Sequence, residues 1–365
     1  MNPLRIAMIT QPWNPLPPMT DVHDYPQVHH LANALVCEHH NVQICASGPS
    51  HCDARLIITG ATSTDGRHDP HRMHEHLLVA LESTRKFRAD IIHDFTAQAA
   101  AMLPAFGLDV PLLSHISAEP SVELLRALQT STSTRGVNQV FVTDNPWLPD
   151  LVPDIRWHAV VRRPVGLSDC LFSARRLPYL VYEGPVDSSC NLPDLVRTAA
   201  GLGVPLKVIN NLEQVTEQAY VANCLGGAAE VARSHVDFVT DADSLTRRRI
   251  LSEAIGFIVA SPQVSRLQHT IARALASGTP ILLVGEPNSI EPALLDGITS
   301  ITTQVGKTDS ITRERLLSLD PYECRRIAAL EFNPLSAARG WESVYRGLLA
   351  QAAANNSRHL LELPA

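Results

Sequence analysis

Short apolar runs recur along this chain, and stretches with apolar residues at helical spacing lie between them. Leu4–Thr10 is too short for a buried helix and reads as a buried strand. A proline-rich loop follows, from Pro12 to Pro18. Val28, Leu31, Ala32, Leu35 and Val36 then fall on one helical face. Val42–Ala46 reads as a second strand, and a helix through Leu77–Leu81 leads to a third at Asp90–His93. Pro111–Ile116 and Val137–Val142 continue the series. The pattern then restarts, with strands at Tyr179–Tyr182, Leu206–Ile209, Val236–Val239, Gly256–Val259 and Pro280–Val284. Strands that alternate with helices form a parallel sheet wrapped by helices. Two such series, with a break near residues 163–176, predict an α/β chain of two doubly wound, Rossmann-like domains. The expected spans are 1–165, 166–335 and 336–365, the last a helix through Leu335–Leu349 crossing back to the N-terminal domain, plus a tail. Open parallel sheets bind ligands at the carboxyl ends of their strands. The natural site is therefore the cleft between the two domains.

Length agrees with this division, since 365 residues exceed what a single core usually holds. The net charge of −7 comes from interspersed acids and bases. Nucleic-acid binding is not expected, because it needs a concentrated basic face. No apolar run reaches the length of a membrane span, and no integral membrane segment is expected. Leu4–Thr10 meets Gln11 and Pro12 and does not read as a signal peptide. Seven cysteines without CxxC spacing read as free thiols in a reducing cytoplasm.

The segments themselves carry a resemblance. RIAMITQPWNPLPP, LANALVCEHHNVQICASG, ADIIHDFTAQAA, PLLSHISAEPS and VFVTDNPWLPDLVP follow one another in the first half. YLVYEGPVD, PDLVRTAAGLGVPLKVI, ARALASGTPILLV and IEPALLDGITS do so in the second. In this order they resemble the family 4 retaining glycosyltransferases of GT-B fold, over nearly the whole chain. The resemblance implies transfer of a sugar from a nucleoside diphosphate sugar to an acceptor hydroxyl with retention, and no further cofactor. Such chemistry asks for cations and backbone amides at the leaving diphosphate. It asks for acceptors at the sugar and ribose hydroxyls, and for a positioned acceptor group.

Several positions that the resemblance assigns to the donor depart from the family pattern. Gly184 is kept, but Pro185 stands at the arginine position, and the lysine position falls on Cys190 or Asn191. Gly278, Thr279 and Pro280 fix the register of the paired glutamates, whose positions hold Ser265 and Arg273. Leu267, Gln268 and His269 replace the Phe-Gly-Leu between them. Thr20–Asp24 replaces a pair of glycines after the first strand. Asn210, Thr240 and Ser300 stand where glycine is usual. Other positions match. His115 resembles the histidine near the transferring sugar, His93 sits at a strand end facing the cleft, and Glu291 resembles a glutamate near the donor. Each also has a plainer reading: His115 and His93 as hydrogen-bonded core residues, Glu291 as a helix cap, and Arg273 as a solvated helix charge. His68, His71, His74 and His76 lie close together, but no cysteine or carboxylate cluster accompanies them, so no metal is expected. Trp13, Trp147 and Trp157 read as packing residues, and Arg247–Arg249 as a solvated helix face.

Two functional expectations follow. In one, the chain is a transferase with an atypical donor or mechanism, where Arg273 or His269 assists the leaving group and His115 and His93 serve the sugar. In the other, it is a catalytically inactive relative that acts as a binding subunit, for example of an active glycosyltransferase.

Overall fold

Alternate residues of β1 (Arg5–Ile9) feed two different cores. Ile6 and Met8 pack with Leu31, Leu35, Ile44, Trp341 and Tyr345. Ala7 and Ile9 pack with Met73, Leu77, Leu81 and Ile92. A strand apolar on both faces belongs inside a parallel sheet covered on both sides by helices. The computed structural model describes residues 2–13, 15–17, 26–61, 69–117, 139–145, 148–210, 215–226, 235–240, 242–260, 267–285, 292–304 and 310–361, and it contains that arrangement twice.

After β1 come α1 (Pro26–Cys37), β2 (Asn41–Gly48), β3 (Arg55–Ala61), α2 (Pro70–Phe87), β4 (Ile91–Asp94), β5 (Leu112–His115), β6 (Gln139–Thr143), the short α3 (Leu148–Leu151) and β7 (Trp157–Val160). The strands form a parallel seven-stranded sheet in the order β3-β2-β1-β4-β5-β6-β7. The second series runs β8 (Leu177–Glu183), α4 (Leu192–Gly201), β9 (Leu206–Ile209), α5 (Val215–Gly226), β10 (Val236–Val239), α6 (Ser244–Glu253), β11 (Ala254–Ala260), α7 (Gln268–Ala276), β12 (Ile281–Val284), β13 (Ser300–Thr303), α8 (Ser310–Ser318) and α9 (Pro321–Glu331). Its six strands are ordered β10-β9-β8-β11-β12-β13. The chain divides into two compact units, Met1–Pro164 with Pro334–Ala365, and Val165–Asn333. The last helix, α10 (Pro334–Leu361), thus belongs to the first unit.

Three strands lie where the sequence pattern shows none. β3, β7 and β13 are all edge strands. Along β7, half-buried and exposed residues alternate, and β3 carries Arg55, Thr59 and Gly60 among its apolar residues. A strand with one free edge and one wet face tolerates polar residues, so no continuous apolar run marks it.

Local chemistry fixes the helices that matter for the site. Asp69 caps α2 by accepting from the His71 amide at 2.9 Å, Pro70 starts the helix, and Arg88 ends it in the left-handed region. Its buried stripe is Met73, His76, Leu77, Ala80, Leu81 and Thr84, one face of a 3.6-residue repeat. On α10 the buried residues Ala338, Trp341, Tyr345 and Leu348 repeat the same spacing and join the core beneath α1. Gly340 lets this helix approach β7 closely, because a Cβ there would stand 3.0 Å from Val161. Among the described residues no helix is long and apolar enough to cross a membrane.

Candidate functional site

The carboxyl ends of β4, β5, β6 and β7 bring one polar chain together inside the first unit. His93 lies in β4, His115 ends β5, Asp144 follows β6, and Arg163 follows β7. Tyr345 reaches them from α10. Its hydroxyl is 2.7 Å from His93 Nδ1, and His93 Nε2 is 2.9 Å from His115 Nδ1. His115 Nε2 stands 3.4 Å from Asp144 Oδ1. Arg163 grips the same carboxylate with Nε at 3.1 Å and Nη2 at 3.2 Å. Phe95 and Trp341 sheathe the two imidazoles, with Phe95 stacked on both at centroid separations of 4.3 and 4.6 Å.

The proton positions follow from the chain of partners. Burial alone would push the Asp144 carboxyl up, but the Arg163 guanidinium and His115 hold it well below the usual carboxylate range. An ionised carboxylate only accepts, so His115 presents Nε2–H to it. His115 Nδ1 is then an acceptor for His93 Nε2–H, and His93 Nδ1 accepts from the Tyr345 hydroxyl. Burial, with His115 alongside, keeps the His93 pKa well below that of a free imidazole, consistent with a neutral ring.

His93 lies near the end of β4, fully buried with both ring nitrogens engaged. His115 is 5% exposed, with Nδ1 bonded to His93 and Nε2 3.4 Å from the Asp144 carboxylate without a hydrogen bond of ordinary geometry. Asp94, next to His93, is also structural. Its carboxylate accepts from the Thr96 amide and hydroxyl and the Ala99 amide, although burial raises its pKa.

The second unit has its strand-order reversal between β8 and β11, the usual ligand position in such a sheet. Glu183 and Gly184 stand at that end of β8. A Cβ on Gly184 would come within 2.6 Å of Leu267 Cδ2 and 3.1 Å of the Tyr182 hydroxyl. Leu267, itself buried, thus covers the glycine, while Gln268 and His269 form the first turn of α7. Pro185 offers its carbonyl to the Tyr182 hydroxyl at 2.7 Å, and Asn210 donates to the Gly184 carbonyl at 3.0 Å. Cys190 is buried in a 3-10 turn, where burial pushes its thiol up to about 11. Asn191 adopts φ 49° as α4 begins. Arg273 is not a solvated charge: it is 9% exposed and lies 3.7 Å from Glu183 across a buried ion pair. Ser300 is the buried first residue of β13. Thr20–Asp24, His68, Trp147, Ser265 and Glu291 lie outside the described residues. Among the described residues no group of histidine, cysteine or carboxylate side chains could hold a metal ion. His71 and His74 point outward and His76 inward.

Asp144, Arg163, Tyr345 and Glu183 escape the sequence reading. Asp144 had a signal, a charged residue directly after a buried strand, as at His115. Tyr345 had none, because its partner is 252 residues away.

No protein-family model and no curated protein sequence matches the chain. Solved structures do. A glycosyltransferase involved in avilamycin A biosynthesis, AviGT4, aligns over 96% of this chain and 99% of its own, with TM-score 0.67 and 17% identity. Sucrose-phosphate synthase from Thermosynechococcus elongatus aligns over 95% and 100%, with TM-score 0.68 and 14% identity. HepE of Anabaena in complex with UDP and glucose aligns over 94% and 100%, with TM-score 0.65 and 12% identity. The fold is thus α/β with two parallel sheets, matching that of GT-B glycosyltransferases.

Proposed function

We propose that this chain is a glycosyltransferase-like protein that moves a sugar from a nucleoside diphosphate sugar to an acceptor hydroxyl with retention, and that it holds the donor in an atypical way. One observation carries the reading: the likeness runs through nearly the full length of both chains to glycosyltransferases, one of them bound to UDP and glucose. The proposed setting is the cytoplasm, in keeping with seven free thiols. Within this reading His115 is the group nearest the transferring sugar, oriented by His93. The leaving diphosphate would have to draw Arg273 away from Glu183, since a guanidinium already paired with a carboxylate offers little net charge.

A second reading has its own support. Leu267 packs against Gly184 and Arg273 is paired with Glu183, an arrangement that supports a fold without a free cation at these two positions. On that reading the chain is a catalytically silent binding subunit, for instance of an active glycosyltransferase. Thermal unfolding against a panel of nucleoside diphosphates and their sugars separates the two. A ligand at about 100 times its dissociation constant stabilises by about 2.7 kcal/mol, a readily visible shift. A shift with one nucleotide family, followed by release of that nucleoside diphosphate on turnover, supports the transferase. No shift with any of them, in a folded protein, supports the silent subunit.

A further inference from the structure

A different set of residues in the first unit lines a half-open cavity of about 230 Å³ between the carboxyl ends of β2 and β3 and the first turns of α2. Arg72 and Glu75 line it from one face of the helix, Thr59 and Gly60 from the strand, and His76 from behind. Arg72 and Glu75 are exposed, and neither has a hydrogen-bonding or ionic partner among the described residues. Two charged groups with no partner among the described residues offer a donor and an acceptor to an occupant of the cavity.

The chemistry of that occupant can be read from the lining. A carboxylate only accepts and a guanidinium only donates. Their charges cancel. His76 adds none, because burial pushes its pKa down to about 4, with the Thr10 backbone offsetting only part of this. The Thr59 hydroxyl donates to the Ala46 carbonyl at 3.1 Å and is also bonded to His76 Nδ1, so its oxygen is fixed in direction. His76 Nε2 is buried and makes no hydrogen bond of ordinary geometry. Gly60 leaves bare backbone, since a Cβ built there meets nothing within 4 Å. A net-neutral lining with separate donor and acceptor arms suits a ligand whose neighbouring groups both donate and accept. The volume falls below the roughly 300–1,000 Å³ of drug-sized sites, which restricts the ligand to a single small ring.

We propose that this cavity is a binding site for a neutral polyhydroxylated ring of monosaccharide size, held by Glu75 as acceptor and Arg72 as donor. The site belongs to the first unit alone and does not depend on whether the second unit takes a nucleotide sugar. The test is calorimetric titration of the full chain, without nucleotide, using D-glucose, D-galactose and myo-inositol, with inorganic phosphate as an anion probe. At least one polyol is expected to bind saturably in the millimolar range. Glu75→Gln should weaken it about tenfold, the loss expected for one hydrogen bond to a charged group. Gly60→Val should abolish binding by filling the cavity. Both positions are exposed, and circular dichroism and the unfolding midpoint check that each variant is folded. Absence of polyol binding up to about 100 mM overturns the proposal. So does polyol binding that survives both substitutions, or Arg72-dependent phosphate binding with no polyol response. Because nucleotide is left out, a protein that ignores every sugar nucleotide can still bind here, so the two readings fail separately.

Discussion

Single side chains decide most of what is unusual in this molecule. Tyr345→Phe keeps the ring in its core and removes one hydroxyl, leaving His93 Nδ1 as a buried acceptor with no donor. The expected cost is about 1–3 kcal/mol, measured as a lower urea midpoint at unchanged slope. The same chain predicts a pH dependence. The native pKa of His93 lies below its ordinary value of 6.5, so below that pH the unfolded chain binds more protons and stability rises with pH. Its contribution is complete above about pH 6.5 and is lost as pH falls toward the depressed native pKa. His93→Gln should flatten the slope of unfolding free energy between roughly pH 5 and 6.5. An unchanged slope would assign the dependence to other groups. In the second unit, Arg273→Met strands Glu183 in a buried place, and a loss of about 3–5 kcal/mol is expected. The double variant Glu183→Leu with Arg273→Met should recover most of that, as seen in its thermal midpoint, because an apolar pair needs no compensation.

Burial made the central strands legible, and the half-buried edge strand β10 was legible as well. Central strands such as β1 and β11 are apolar on both faces, so a short uninterrupted run announces them. Edge strands β3, β7 and β13 carry polar residues on a wet face and send no such signal. The stripe on α10 was readable as a helix through Leu335–Leu349, but spacing alone does not say which sheet it covers. Packing supplies that: Trp341 and Tyr345 are both almost wholly buried in the core that holds Ile6 and Met8. Trp341→Ala should cost about 3–5 kcal/mol through the cavity it leaves, read from chemical denaturation. Gly340→Leu should also destabilise, because its new side chain meets Val161, the residue after β7.

At the scale of the whole molecule, the first unit is discontinuous in sequence. Truncation after Asn333 removes α10 and bares the apolar face under it. Hydrogen exchange should then show β1, β4 and β5 losing protection, while β8, β11 and β12 keep theirs. Loss of protection in both sets would make the two units one cooperative body. The sequence by itself determined the strand–helix alternation, its restart near residue 165 and the parallel sheets, because these depend on periodicity and on burial of the central strands. It also set Pro185 and Arg273 at their positions. Only the tertiary structure decided what those residues touch. Arg273 became half of an ion pair because β8 ends beside α7, and Leu267 became a cover because Gly184 lies beneath it. The chain from Tyr345 to Asp144 needs three strand ends and the interior of a helix to converge in space. Hydrogen bonds act over about 3 Å whatever the separation along the chain, and no local pattern encodes such a meeting.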